Sequence, residues 1–172
     1  MKVVMEKDLN HYFTSSESSD QSTQEGIDEE SLRKLWRYWR ERAMSFLVRR
    51  EHSEVELRQK MQQRECPSWL LEEIIAWLYE KRYLSLERFA YSYAKNRADL
   101  GYGPIRVRHE LSGMHQISSQ NIDAAFKEIN WFEARKTAER KIRQTDPFKF
   151  RAALYRRGFS GDDYENDEID DL

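Results

Sequence analysis

The chain has 172 residues, enough for one domain with tails, and 39% hydrophobic against 35% charged residues give it a modest core under a heavily charged surface. Its one cysteine, Cys66, excludes an internal disulfide and fits a reduced setting. No run of about 18 apolar residues offers a membrane span, and residues 1–13 lack the apolar segment of a secretory signal. The net charge of −2 conceals a division: residues 1–30 carry two Lys against eight Asp and Glu, residues 161–172 carry seven acids and no base, and residues 31–160 hold 27 Lys and Arg against 16 acids. A body of net +11 between acidic ends points to an anionic partner.

Residues 14–30 are rich in Ser, Gln and acids and are expected to be disordered, making 1–30 an N-terminal extension. Few Gly and Pro, with abundant Leu, Ala, Glu, Lys and Arg, favour helix beyond it. The first helical pattern begins near Leu32, with Trp36, Trp39, Ala43, Phe46 and Leu47 on one face. Ser53 and Glu56 have capping-box spacing and open a second helix with an apolar edge of Val55, Leu57 and Met61. Pro67-Ser68 stops it. Ser68 is expected to cap a third helix, whose stripe is Leu71, Ile74, Ile75 and Leu78, with Trp77 beside it.

The plan then recurs. Leu86, Phe89, Ala90, Tyr93, Ala94 and Arg97 mark a fourth helix, ended by Gly101 and Gly103. Pro104 sits where proline is tolerated, in a first helical turn, and opens a fifth helix with Ile105, Val107 and Leu111. Ser118 or Ser119 caps a sixth, with Ile122, Ala125, Phe126 and Ile129 inward. Trp131, Ala134, Ala138 and Ile142 mark a seventh. Asp146-Pro147 opens an eighth, with Phe150, Ala153 and Leu154. Ser160 is expected to cap at most a frayed ninth, leading into the acidic tail, 161–172.

The start signals repeat. Ser53, Gly103 and Asp146 are spaced 50 and 43 apart, and Ser68, Ser118 and Ser160 are spaced 50 and 42. We therefore expect an all-α protein of three tandem three-helix repeats, 31–84, 85–130 and 131–160, forming an elongated, curved helical array. The alternative is one compact bundle whose cap spacing is coincidental.

No catalytic constellation is visible. His11, His52, His109 and His115 show no ligand spacing, and no zinc pattern exists. Cys66 precedes Pro67 with no base nearby and reads as a plain thiol. Gly101-x-Gly103 lacks the strand that a dinucleotide loop requires. Neither an enzyme nor a cofactor is expected. The basic residues are more informative. Arg49, Arg50, Arg58 and Lys60 cluster at the first helix junction, Arg97, Arg106 and Arg108 at the second, and Arg151, Arg156 and Arg157 at the third. Guanidinium forks suit phosphates and carboxylates, so these ten are the candidate contacts with an anionic partner. Arg106 and Arg108 lead, because the helix N-terminus behind Pro104 adds its own partial positive charge. Some are also placed to pair internally, Arg58 with Glu54 and Arg106 with Glu110. Tyr102 is expected to pack the junction rather than stack on a base.

Three motifs carry a family resemblance: Ala43-Met44, Leu47-Val48-Arg49-Arg50-Glu51-His52-Ser53, Glu56-Leu57 and Lys60-Met61 in one run; Tyr83-Leu84 with Arg88-Phe89-Ala90; and Arg97, Gly101-Tyr102-Gly103-Pro104, Arg106-Val107 and Glu110-Leu111. In this order the chain resembles the RecX regulatory proteins over about 36–160. The resemblance implies a cytoplasmic, non-enzymatic monomer that lodges in the groove of the RecA recombinase filament on single- or double-stranded DNA. It also implies restraint of filament growth, ATP hydrolysis, strand exchange and SOS-repressor cleavage in DNA repair. A general helical DNA-binding module acting without RecA is the alternative. The chain departs from the family in four ways, one of them a thin and very acidic last helix, which bears on whether the third repeat contacts the partner as in relatives. Ser85-Leu86-Glu87 keeps one of two usual acids, with Ser85 able to cap in their place. One extra residue lies between Leu111 and Ile117, so the turn there is expected to differ. The extension 14–30 has no counterpart.

Overall fold

The computed structural model describes residues 28–160, and no strand occurs among them. The elements are α1 (Glu29–Leu47), α2 (Glu54–Gln62), α3 (Ser68–Glu80), α4 (Leu86–Asp99), α5 (Pro104–His109) running into a π-helical turn (Glu110–Met114), α6 (Ser119–Phe126), α7 (Trp131–Lys141) and α8 (Pro147–Arg157). Two compact units, 1–38 and 39–172, divide the chain within α1. The expected order of the tail 161–172, and of all but the last residues of the extension 1–30, lies outside the described residues.

In the first unit, helix begins three residues before the apolar pattern does. Asp28 is the reason: its carboxylate accepts from the Ser31 backbone N–H at 2.9 Å and from the Ser31 hydroxyl at 2.6 Å. An N-cap of this kind satisfies an otherwise orphaned first-turn donor. The pairs Glu29–Arg33 and Glu30–Lys34 then support the turn. The expectation of disorder up to residue 30 is corrected at its last two residues.

In the second unit the caps follow the sequence pattern, with two corrections. Ser53, Ser85, Ser118 and Asp146 each accept a backbone N–H three residues on, from Glu56, Arg88, Asn121 and Lys149. Glu56, however, does not close the capping box: its carboxylate takes the Arg50 guanidinium at 2.9 and 3.2 Å. Ser68 is not a cap but the first helical residue. Pro67 holds the cap position, and its carbonyl accepts the Leu71 N–H at 2.9 Å.

The helix ends repeat as regularly as the starts. After α2, α3, α4 and α8 a residue adopts a left-handed backbone: Glu65, Arg82, Gly101 and Gly158. The next N–H then reaches back to a carbonyl five residues earlier, Cys66 to Met61, Tyr83 to Leu78, Tyr102 to Arg97 and Phe159 to Leu154. This terminator satisfies carbonyls that the helix leaves free. The middle helix of the second repeat ends the same way at Gln116, but Ile117 reaches six residues back, to Leu111. A π turn takes one more residue than an α turn. The extra residue between Leu111 and Ile117 is thus absorbed inside the helix, and Ile117 stays buried like Cys66 and Phe159 in the flanking repeats.

Each repeat has its own apolar core. Ala43, Leu57, Met61, Leu70, Leu71, Ile74, Ile75, Leu78 and Leu84 are buried in the first. Phe89, Ala90, Ala94, Val107, Leu111, Ile117, Ile122 and Ala125 form the second. The third is smaller: Ala98 from α4 with Ala134, Ala138, Leu154 and Phe159.

Candidate partner-binding surface

The stretch Gly101–Leu111 joins the second and third repeats, backbone to backbone. The Gly103 N–H donates to the Arg157 carbonyl at 2.8 Å, and the Ile105 N–H to the Gly158 carbonyl at 3.2 Å. A Cβ on Gly103 would fall inside van der Waals contact of Gly158, and one on Gly158 would stand 2.5 Å from the Arg106 backbone nitrogen. A Cβ on Gly101 would stand 2.9 Å from the Ala138 nitrogen of α7. Lys141 donates to the Leu100 carbonyl at 2.9 Å and Arg157 to that of Gly101 at 3.3 Å. The N-terminus of α5 is therefore occupied by the end of α8. The partial charge that put Arg106 and Arg108 first is already met there by the Arg157 and Gly158 carbonyls.

Those arginines are engaged within the chain. Glu110, 9% exposed, accepts Arg97 through both carboxylate oxygens, Arg106 Nε at 2.9 Å and the Tyr93 hydroxyl at 3.1 Å. Burial alone would raise its pKa, but the hydrogen bonds from Arg97 and Arg106 outweigh it and hold the carboxyl below the usual range. Tyr102 is half-buried, with guanidinium carbons of Arg97, Arg106 and Arg157 at 4.1, 4.5 and 5.8 Å from its ring centre. It packs the junction, as its position between two glycines suggested. Arg108 reaches Asp123 at 2.6 Å and lies over Phe126.

At the first junction the pattern is the same. Arg58 bridges Glu54 at 2.7 Å and Glu72 at 2.5 and 2.9 Å, so its pKa is raised, chiefly by the Glu72 hydrogen bonds. Lys60 stands 2.7 Å from His52 Nε2, whose Nδ1 faces the Arg50 carbonyl at 3.0 Å. Nδ1 must then carry the proton, leaving Nε2 to accept from the ammonium. Ser53, fully buried, links this first-repeat corner to the second through His115 Nδ1 at 3.2 Å. Burial pushes both imidazoles below the ordinary histidine range. Sequence spacing gave no sign of this His52–Ser53–His115 group, because its members lie 62 residues apart and meet only through repeat packing.

Three of the ten candidates, Arg49, Arg151 and Arg156, are exposed and make no side-chain hydrogen bond or ion pair among the described residues; Lys149 joins them. Three of these four lie on α8. Net charge is also highest in the third repeat. Residues 31–84 hold 12 bases against 8 acids, 85–130 hold 6 against 5, and 131–160 hold 9 against 3. The third repeat thus carries the largest positive excess, and Arg151 and Arg156 leave two free guanidiniums on its last described helix. Among the described residues no group of three or more His, Cys, Asp or Glu is placed to hold a metal ion, and no helix is long and apolar enough to cross a membrane.

Tandem helical units whose helices repeatedly close on the same left-handed turn define an all-helical repeat protein. A family model for the first three-helix domain of RecX matches residues 40–78. The regulatory protein RecX of Cronobacter sakazakii is 40% identical over 115 residues, covering 59% of this chain and 69% of its own length. That of Stenotrophomonas maltophilia is 40% identical over 131 residues, covering 71% and 80%, and that of Salmonella paratyphi A is 35% identical over 145 residues, covering 73% and 86%. A crystal structure of regulatory protein RecX shares the fold, with a TM-score of 0.63 at 17% identity over 91% of this chain and 83% of that one. The chain belongs to the RecX family of regulatory proteins.

Proposed function

We propose that this chain is a cytoplasmic, non-enzymatic regulator of the RecA recombinase. It binds the RecA filament on DNA as a monomer, without a cofactor, and restrains filament growth, ATP hydrolysis, strand exchange and repressor cleavage. Family membership is the observation that carries this reading. The charge distribution supports a cationic docking site for an anionic partner, and it ranks the ten candidates. Arg49, Arg151 and Arg156, together with Lys149, meet the partner's acidic surface or DNA phosphate. Arg50, Arg58, Lys60, Arg97, Arg106, Arg108 and Arg157 hold the repeats in register so that they can do so.

The test is a titration of the protein into RecA assembled on single-stranded DNA, with ATP hydrolysis as the readout. Inhibition below one protein per RecA is expected. An unchanged ATPase at equimolar protein overturns the assignment. The unpaired cations of α8 favour one further reading, general DNA binding without RecA. That reading requires direct, salt-steep binding to DNA of any sequence together with an untouched ATPase.

A further inference from the structure

The outward face of α8 is built to receive a chain. Phe148 and Tyr155 are 77% and 73% exposed, the most open aromatic side chains among the described residues. At about 100° per residue they lie nearly in line, one above the other. Arg151 borders this stripe on one side, Lys149 and Arg156 on the other, all three exposed and without a salt-bridge partner among the described residues. Two aromatics flanked by free cations call for an acidic segment that also carries apolar side chains.

Residues 161–172 are such a segment. Seven acids surround Tyr164, Ile169 and Leu172, with no base. The segment starts at the right place. α8 ends at Arg157, Gly158 turns the chain in the left-handed region, and Phe159 is anchored in the third core. Its 12 residues reach roughly 40 Å when extended, at about 3.3 Å each. The 11 residues of α8 rise only about 16 Å, at 1.5 Å each. The segment is therefore long enough to run back along the helix it follows. Its charge of −7 is matched by the net +6 of residues 131–160, and the pairing is intramolecular, so a short tether keeps the local concentration high.

We propose that the acidic segment 161–172 docks on the Phe148–Tyr155 face of α8 and shields its free cations, so that an anionic partner must displace it. The docking stands apart from the RecA reading; only its effect on partner affinity rests on that reading.

Docking is tested in the full chain by placing a nitroxide at Leu172→Cys and recording the backbone amide signals of an isotopically labelled sample. Cys66 does not compete for the label, because it is buried and its thiol pKa is pushed up to about 11 by that burial. Broadening confined to residues of α8 is expected at low salt, and its loss is expected at about 0.5 M salt, where the screening length falls to a few Å. It is also expected to vanish in Lys149→Glu/Arg151→Glu/Arg156→Glu, whose exposed positions leave the fold intact. No broadening of α8 overturns the docking, whatever RecA does. So does broadening only when labelled and nitroxide-bearing chains are different molecules, since the occupant would then be a second copy. The second measurement replaces all seven acids by their amides in the full chain and reads binding to an oligothymidylate by fluorescence anisotropy. Several-fold tighter binding at low salt is expected, and equal affinity overturns the shielding.

Discussion

At the residue scale, two polar groups decide how the repeats are joined, and both lose their contribution as pH falls, over different ranges. Glu110 is the carboxylate that Arg97 and Arg106 share, so Glu110→Gln leaves two guanidiniums facing each other across Tyr102. A fully buried broken pair costs about 3–5 kcal/mol. Arg106 reaches solvent here, so a loss of about 2 kcal/mol in urea unfolding is expected. Because the Glu110 carboxyl is held below its ordinary value, its contribution is present above the unfolded carboxylate pKa and fades as pH falls through the folded one. His52 and His115 act at higher pH. Both are buried neutral, one facing Lys60 and the Arg50 carbonyl, the other Ser53, with Glu56 and Arg50 as the nearby charges. Their folded pKa lies below the unfolded value of about 6.5. The unfolded chain therefore takes up protons first as pH falls through that value, and stability declines below it. The urea midpoint of the wild type should drop between pH 7.5 and pH 5.5, and His52→Asn/His115→Asn should flatten that dependence. A wild-type midpoint equal at the two pH values would refute the assignment.

At the scale of elements, the glycines of the α5 start are close-approach residues. Gly103→Ala places a methyl group against the Gly158 carbonyl, backbone on backbone, with no flexible side chain to yield. A cost of about 3 kcal/mol is expected, as for other forced overpacking. Gly113 meets nothing within 4 Å, so Gly113→Ala should be neutral or stabilising by up to about 0.5 kcal/mol. Equal thermal shifts for the two would remove the clamp from the account. This division also shows what the chain discloses before folding. Caps and apolar stripes are local signals, and Ser53, Ser85, Ser118, Asp146 and the buried Phe89, Val107 and Ile122 follow from spacing alone. The one-residue excess after Leu111 is visible too, although its resolution as a π turn needs the Ile117 anchor. The destination of α5's first N–H groups is not a local property. Gly158 comes 55 residues after Gly103, and only packing of the third repeat shows that the helix start is filled. Arg106 and Arg108 rank first as partner-binding residues on a local argument that holds for an open helix end and fails for a docked one. Conversely, Arg151 and Arg156 gain weight because nothing in their own repeat neutralises them.

At the scale of the whole molecule, electrostatics separates into a neutralised part and a free part, and the two respond differently to mutation. The first two repeats tie much of their charge into short pairs, Arg50–Glu56, Arg58–Glu72, Arg88–Glu51 and Arg108–Asp123. The third repeat does not. Reversing Arg106 puts a carboxylate beside Glu110 and lowers stability, so any fall in partner binding in Arg106→Glu follows from loosened repeats. Reversing or removing the α8 cations leaves the fold alone and changes only the field that a polyanion meets. On single strands, each phosphate-neutralising cation contributes about 0.7 to the slope of log affinity against log salt. Lys149→Ala/Arg151→Ala/Arg156→Ala should therefore reduce that slope by about 2 while its melting temperature stays within a degree or two of wild type. Arg106→Ala should show the converse, a lower melting temperature with a slope changed by less than about 0.7. Measured on one oligothymidylate across a salt series, the two variants assign the free charge of this protein either to its third repeat or to the junction, and a larger slope change for Arg106→Ala would move the docking surface to the junction.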